Sequence, residues 1–155
     1  MTKLQTGSPA PRFELPVNGG GSVSLDGLKG RPFVLYFYPK DATTGCTQEA
    51  SSFNSLMAEF ERAGVAIVGV SPDSVASHDR FVAKLDLDFP LAADEDHSVA
   101  EAYEVWVEKK MYGRTFMGVE RATFLIDAEG RIARIWRKVR VPGHAQEVLE
   151  AAKNL

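Results

Sequence analysis

Phe33-Val34-Leu35-Tyr36-Phe37-Tyr38 is an unbroken apolar run held between Pro32 and Pro39. It has no polar position to turn toward water, so a strand built from it must be covered on both faces, at the centre of a layered sheet. A second run of the same kind, Val65-Ala66-Ile67-Val68-Gly69-Val70, lies beyond an amphipathic stretch. In that stretch, from about Thr44 to Ala63, Ala50, Phe53, Leu56, Met57 and Phe60 recur at helical steps, and Gly64 offers a C-terminal cap. Ser71-Pro72-Asp73-Ser74 then leads into a helix carrying Val75, Phe81, Val82 and Leu85. Strand, helix, strand, helix in this order predicts an α/β fold with parallel strands.

The flanks make the predicted sheet a mixed one. Gly7 to Pro16, with Phe13 and Leu15 among turn formers, and Ser22-Val23-Ser24-Leu25 predict short edge strands or a hairpin, turned at Asn18-Gly19-Gly20-Gly21. Phe89 to Ala93 predicts a short strand, and Asp94-Glu95-Asp96 the acidic start of a helix over about His97 to Tyr103. A metal site made by that acid run with His97 is the alternative, and the helix start is preferred. Thr123 to Asp127 and Arg131 to Trp136 flank the short turn Ala128-Glu129-Gly130, which predicts an antiparallel hairpin, and a helix over about His144 to Lys153 closes the chain. Residues 1–155, 45% hydrophobic and 25% charged, thus read as one soluble globular domain.

Several partner classes are disfavoured. A net charge of -3 gives no global attraction for nucleic acid or an anionic membrane, and the local cluster Arg134, Arg137, Lys138 and Arg140 reads as a solvated strand end. The opening Met1 to Pro9 has no apolar leader core, and no apolar run approaches a bilayer span. Cys46 is the only cysteine. No intrachain disulfide can form, and a reducing cytoplasm is the natural compartment.

That cysteine sits in Pro39-Lys40-Asp41-Ala42-Thr43-Thr44-Gly45-Cys46-Thr47, where the apolar run gives way to a turn and then a helix. The thiolate is the nucleophile, and a free cysteine, with a pKa near ~8.5, is mostly protonated at neutral pH unless its site favours negative charge. Gly45 would permit an unusual turn, the first helical turn would supply unpaired N–H groups, and Thr43 or Thr44 could donate a hydroxyl. An exposed, activated thiol is expected from this reading. By spacing alone an inert, buried cysteine acting as a small hydrophobe is an equal alternative, and the polar, turn-prone neighbours favour the reactive one.

Pro39-xxx-Thr43-xx-Cys46 resembles the peroxiredoxin motif Pro-x-x-x-Thr/Ser-x-x-Cys. The wider run from Val34 to Ala50, with Gly7 to Pro16, Leu28 to Arg31, Gly69-Val70-Ser71, Ala93 to Asp96, Lys110 to Gly113 and Arg121 to Asp127, is similar to the bacterioferritin comigratory protein, or peroxiredoxin Q, branch. The resemblance covers nearly the whole chain. It implies a thioredoxin-like fold, with a mixed central sheet flanked by helices, an N-terminal β extension and an inserted strand-helix segment. The implied activity is reduction of hydrogen peroxide and organic hydroperoxides by the cysteine itself, with no bound cofactor and no metal.

Carried onto this sequence, the resemblance makes Cys46 the peroxidatic cysteine, whose thiolate attacks the peroxide and becomes a sulfenic acid. Thr43 would hold the peroxide through its hydroxyl, with backbone N–H groups near Gly45 and Cys46 adding donors. Pro39 would shield the site from water. Arg121 would bring a permanent charge favouring the thiolate, where the residues alone suggest an exposed strand-end arginine. Glu49, on the helix face of Cys46, would orient that arginine. Tyr38 and Trp106 read as core residues that could line the pocket.

The chain departs from many members of this branch in lacking a resolving cysteine. One such position is Ser51, and the other, on the following helix, corresponds to Val82. A hydroxyl cannot replace a thiol in disulfide exchange. The expected enzyme therefore uses an external thiol, from thioredoxin, glutaredoxin or a small molecule; the alternative is a sequence whose resolving cysteine has been replaced. A monomer is favoured. Two other functions compete: a cysteine hydrolase with Cys46 activated by His78, His97 or His144, and a non-catalytic thioredoxin-fold binding module.

Overall fold

The computed structural model describes residues 4–155. Met1, Thr2 and Lys3, which open the segment read as lacking a leader, lie outside the described residues. The elements run β1 (Glu14–Pro16), β2 (Ser22–Ser24), α1 (Leu25–Leu28), β3 (Phe33–Phe37), α2 (Thr44–Ser55), α3 (Met57–Arg62), β4 (Ala66–Ser71) and α4 (Val75–Leu85). They continue with β5 (Leu91–Ala93), α5 (Ser98–Ala102), β6 (Trp106–Met111), β7 (Arg114–Val119), β8 (Ala122–Ile126), β9 (Ile132–Trp136) and α6 (His144–Lys153).

The apolar run Phe33–Phe37 forms the middle strand of a five-stranded sheet ordered β5-β4-β3-β8-β9. Its alternate side chains go to two separate cores, as the period of a strand requires. Val34, Tyr36 and Tyr38 pack with Ala50, Phe53, Phe60, Phe81, Val148 and Leu149, under α2, α3, α4 and α6. Phe33, Leu35 and Phe37 pack with Phe13, Leu15, Val99, Tyr103 and Val119, under the N-terminal segment, α5 and the root of β7. β3 pairs in parallel with β4, and β4 with β5, whereas β8 runs antiparallel to both β3 and β9. The sheet is therefore mixed, flanked by helices and extended by the antiparallel β1–β2 pair, the thioredoxin-like arrangement. Among the described residues no helix is long and apolar enough to cross a membrane.

Two local expectations change. The single helix expected from Thr44 to Ala63 is interrupted at Leu56, whose N–H bonds the Phe53 carbonyl. The Ser55 hydroxyl bonds back to the Ser52 carbonyl, and the Asn54 side chain bridges to Asp86 and Asp88 beyond α4. Such back-bonding competes with the helical ladder and bends it. The β6–β7 hairpin was not expected, because Glu108, Lys109 and Lys110 break any apolar run and most of its positions are exposed. Tyr112 (φ 53°) and Gly113 (φ 75°) give it the tight left-handed turn that strand twist favours. The acid run starts α5 as expected: Asp94 accepts the Val99 and Ala100 N–H groups.

The antiparallel β3–β8 register places the end of β3 beside the start of β8, with Phe37 opposite Ala122. Residues leaving β3, from Tyr38 onward, therefore emerge next to Arg121.

Candidate active site

Cys46 lies in the first turn of α2, whose earliest backbone ladder bond outside it runs from the Thr47 N–H to the Thr43 carbonyl at 2.8 Å. Preceding N–H groups at such a helix start lack intrahelical acceptors and make the local potential positive. Cys46, Glu49, Ala50 and Phe53 form the buried stripe of α2 at helical spacing. The exposed thiol expected from the sequence is thus corrected: Cys46 is only 2% exposed, because the stripe that makes α2 amphipathic also carries it into the core with Tyr36 and Tyr38.

Burial has not left the sulfur among apolar groups alone. Arg121 donates from Nη2 to Cys46 Sγ at 3.3 Å and from Nη1 to Glu49 Oε1 at 2.6 Å. Its backbone is fixed as well, the carbonyl accepting the Val139 N–H at 3.0 Å. The strand-end reading of Arg121 fails on this geometry, since its side chain is 17% exposed and its head is spent on two partners. Desolvation disfavours the charged arginine, but Glu49 and Cys46 together outweigh it and raise its pKa. Glu49, 1% exposed, is pushed up to about 7 by burial, against the opposing pull of Arg121. Its Oε2 has no hydrogen-bond partner among the described residues.

Gly45 serves a different end from the one expected. It is an ordinary helical residue, and a Cβ there would stand 3.1 Å from Arg121 Nη2. Glycine leaves the guanidinium room over the helix start, where any Cβ would crowd it by a few tenths of an ångström. The left-handed turn belongs instead to Ala42, at φ 64°. Thr43, the N-cap of α2, makes no side-chain cap; its hydroxyl donates to the Lys40 carbonyl at 2.8 Å. Thr43 therefore does not donate to the sulfur, and its oxygen lone pairs stay available on an exposed residue. Pro39 is half-buried at the loop entrance.

Tyr38 is a core residue with a polar task, its hydroxyl donating to Asp41 at 2.6 Å. Trp106 stacks on His97 at 3.9 Å and packs against the core on the far side of the sheet. Ser51 is exposed on α2, and Val82 packs half-buried on α4.

Sequence reasoning missed two neighbours of the site. Tyr36 lies stacked on Phe53, and its pKa is driven up by burial and then by the charges of Glu49 and Cys46. The run that located β3 could not show which of its rings lies under the cysteine. Lys109, in the unexpected hairpin, is held low by desolvation and by repulsion from Arg121. Of the three histidines, His78 bonds Asp41, His97 bonds Glu101, and His144 bonds Thr123; none bonds Cys46. Burial pulls His144 down to about 4.

Residues 6–135 match the model of the AhpC/TSA family. The chain is 48% identical to peroxiredoxin Bcp of Xanthomonas campestris pv. campestris, over 99% of this chain and 97% of that protein. The solved bacterioferritin comigratory protein of Xanthomonas campestris, studied for alkyl peroxide reduction, superposes with a TM-score of 0.88 at 48% identity, covering 92% of this chain and 90% of its own. A cysteine-to-serine mutant of Xylella fastidiosa PrxQ superposes with a TM-score of 0.94 at 40% identity, covering 99% and 98%. Xanthomonas campestris peroxiredoxin Q has also been solved with serine replacing cysteine at either of two positions, spaced as Cys46 and Val82 are here.

Proposed function

Because this chain belongs to the AhpC/TSA family, and within it to the peroxiredoxin Bcp group, we propose that it is a thiol-dependent peroxidase acting on hydrogen peroxide and organic hydroperoxides through Cys46. The observation that carries this reading is the Arg121 guanidinium bridging Cys46 Sγ and Glu49 at the start of α2. A permanent cation beside a buried sulfur favours the thiolate over the thiol. It also stands where charge must go when that sulfur attacks.

In the step proposed, the thiolate forms a bond to the terminal peroxide oxygen and the O–O bond breaks. The departing oxygen leaves as water or alcohol once protonated, and sulfur is oxidised to the sulfenic acid. Negative charge moves from sulfur to the leaving oxygen, so fixed donors that reach both ends stabilise the transition state more than the ground state. Arg121 and the N–H groups of the α2 start, around Gly45 and Cys46, fill that role. Thr43, already donating to the Lys40 carbonyl, accepts the hydroperoxide O–H through its lone pairs. Pro39 screens the loop from water, and Glu49 holds the guanidinium in plane.

Regeneration falls to an external thiol. The α4 position spaced like the second substituted cysteine of the Xanthomonas peroxiredoxin Q is Val82, and Ser51 offers only a hydroxyl. A first thiol condenses with the sulfenic acid, releasing water and leaving a mixed disulfide; a second releases Cys46 as thiol. Thioredoxin, glutaredoxin and small thiols are the candidate reductants, in a cytoplasmic, monomeric protein of one domain. With Cys46 2% exposed, the start of α2 must open for this second half of the cycle.

Reduced wild type is expected to consume about one equivalent of peroxide alone and many equivalents with added dithiol. Cys46→Ser should show only the background rate, and sustained consumption by that variant would overturn the proposal. The hydrolase reading lacks a base, since every histidine bonds elsewhere.

A further inference from the structure

The loop between β3 and α2 is tied down by a buried polar cluster that takes no part in the chemistry above. Asp41 and His78 have side chains 4% and 0% exposed and meet at 2.7 Å between Oδ2 and Nδ1. The same Oδ2 accepts the Ser77 hydroxyl at 2.8 Å, and Oδ1 accepts the Tyr38 hydroxyl at 2.6 Å. Nε2 of His78 faces the Ala92 carbonyl at 3.0 Å. A carbonyl only accepts, so Nε2 carries a proton. Asp41 thus gathers three buried side-chain partners, the Tyr38 and Ser77 hydroxyls and the His78 ring. Burial pushes Asp41 up, but the His78, Tyr38 and Ser77 interactions outweigh it and its carboxyl stays low.

The Asp41 backbone is held too, its N–H donating to Asp73 Oδ2 at 2.8 Å, an oxygen that also takes the Ser71 hydroxyl at 2.6 Å. Side chain and backbone of this one residue thus fasten the loop to Tyr38 just after β3, to Asp73 after β4 and to Ser77 and His78 of α4. Immediately after this anchor comes Ala42 in the left-handed region, and then Thr43, the N-cap of α2. A non-glycine residue persists in that conformation only where its surroundings over-determine it.

We propose that Asp41 and His78 are positioning residues for the peroxide step: their buried pair fixes the loop in the bend that sets the Thr43 hydroxyl against the incoming peroxide. The inference rests on the function proposed above. The pair touches neither sulfur nor substrate. It acts through the backbone from Asp41 to Thr43, which makes it separable from the Arg121 contribution.

The test is single-turnover stopped flow with hydrogen peroxide on reduced wild type, Asp41→Asn, His78→Leu and Ser77→Ala, with Thr43→Val as the second member of a cycle. Losing a geometry held to a fraction of an ångström costs on the order of 10-fold to 100-fold in rate. Asp41→Asn and His78→Leu are expected to lose that much. Ser77→Ala removes one hydrogen bond and spares the Asp41–His78 contact, so it should lose less while remaining folded. In the Thr43→Val background the Asp41→Asn loss should largely disappear, since both act through one hydroxyl. Val99→Ala, in the opposite core, controls for lost stability and should leave the rate unchanged.

Additive losses, or wild-type rates in folded Asp41→Asn and Ser77→Ala, would overturn the positioning role while leaving the peroxidase intact. A wild type that itself fails to react would overturn both.

Discussion

Under the proposed function a buried cysteine is made a reagent by a charge buried with it, and the residue placed to supply that charge is Arg121. Arg121→Ala is expected to slow peroxide reduction by about 10²-fold or more, the scale of a lost preorganised donor. A wild-type rate in the folded variant would refute that role. Gly45→Ala should give a weaker version of the same loss, because its Cβ would stand 3.1 Å from Nη2 and crowd the guanidinium beside the sulfur. Glu49 provides a thermodynamic check. Its folded pKa of about 7 lies above its ordinary 4.5, so the folded state holds the proton longer than the unfolded chain. The resulting stability is fully present below about 4.5 and is lost as pH rises through 7. Glu49→Gln cannot ionise, so its melting temperature should gain on wild type as pH rises through that window; a constant offset would contradict the assignment.

Among the elements, those whose burial follows a simple period were legible in the sequence. β3, covered on both faces, and α6, with Ala145, Val148, Leu149 and Ala152 on one side, needed only their apolar spacing. The β6–β7 hairpin did not, because its charged and exposed positions are stabilised by cross-strand pairing and by the stack of Trp106 on His97. Leu56 looked like a helical position and is one by spacing; the break there comes from side-chain hydrogen bonds that apolar spacing ignores. The residues brought together at the site were named from the sequence motif, but the depth of Cys46, the aim of the Thr43 hydroxyl and the use of Gly45 were not, since each depends on how α2 meets β8. α6 carries its own test. His144, its first residue, is lowered to about 4 from 6.5, chiefly by burial. Its contribution is fully present above about 6.5 and lost as pH falls through 4. His144→Asn should therefore flatten the acid limb of thermal stability, and an unchanged acid limb would argue against a buried neutral imidazole.

For the whole molecule, Cys46 belongs to the core on one face of the sheet, and the chain has no second thiol for the other half of the proposed cycle. Excess peroxide without added thiol is expected to carry the sulfenic acid on to sulfinic acid, because nothing internal intercepts it. The same treatment should give no intrachain crosslink by intact mass. The central claim, that Cys46 is itself oxidised by peroxide in the first turnover, is tested most directly by mixing reduced protein with one equivalent of hydrogen peroxide in the presence of dimedone, then mapping the adduct by peptide mass spectrometry. The account predicts near-stoichiometric dimedone on the peptide bearing Cys46, with none on Cys46→Ser and little on Arg121→Ala at neutral pH. Peroxide consumed with Cys46 left unmodified would contradict it.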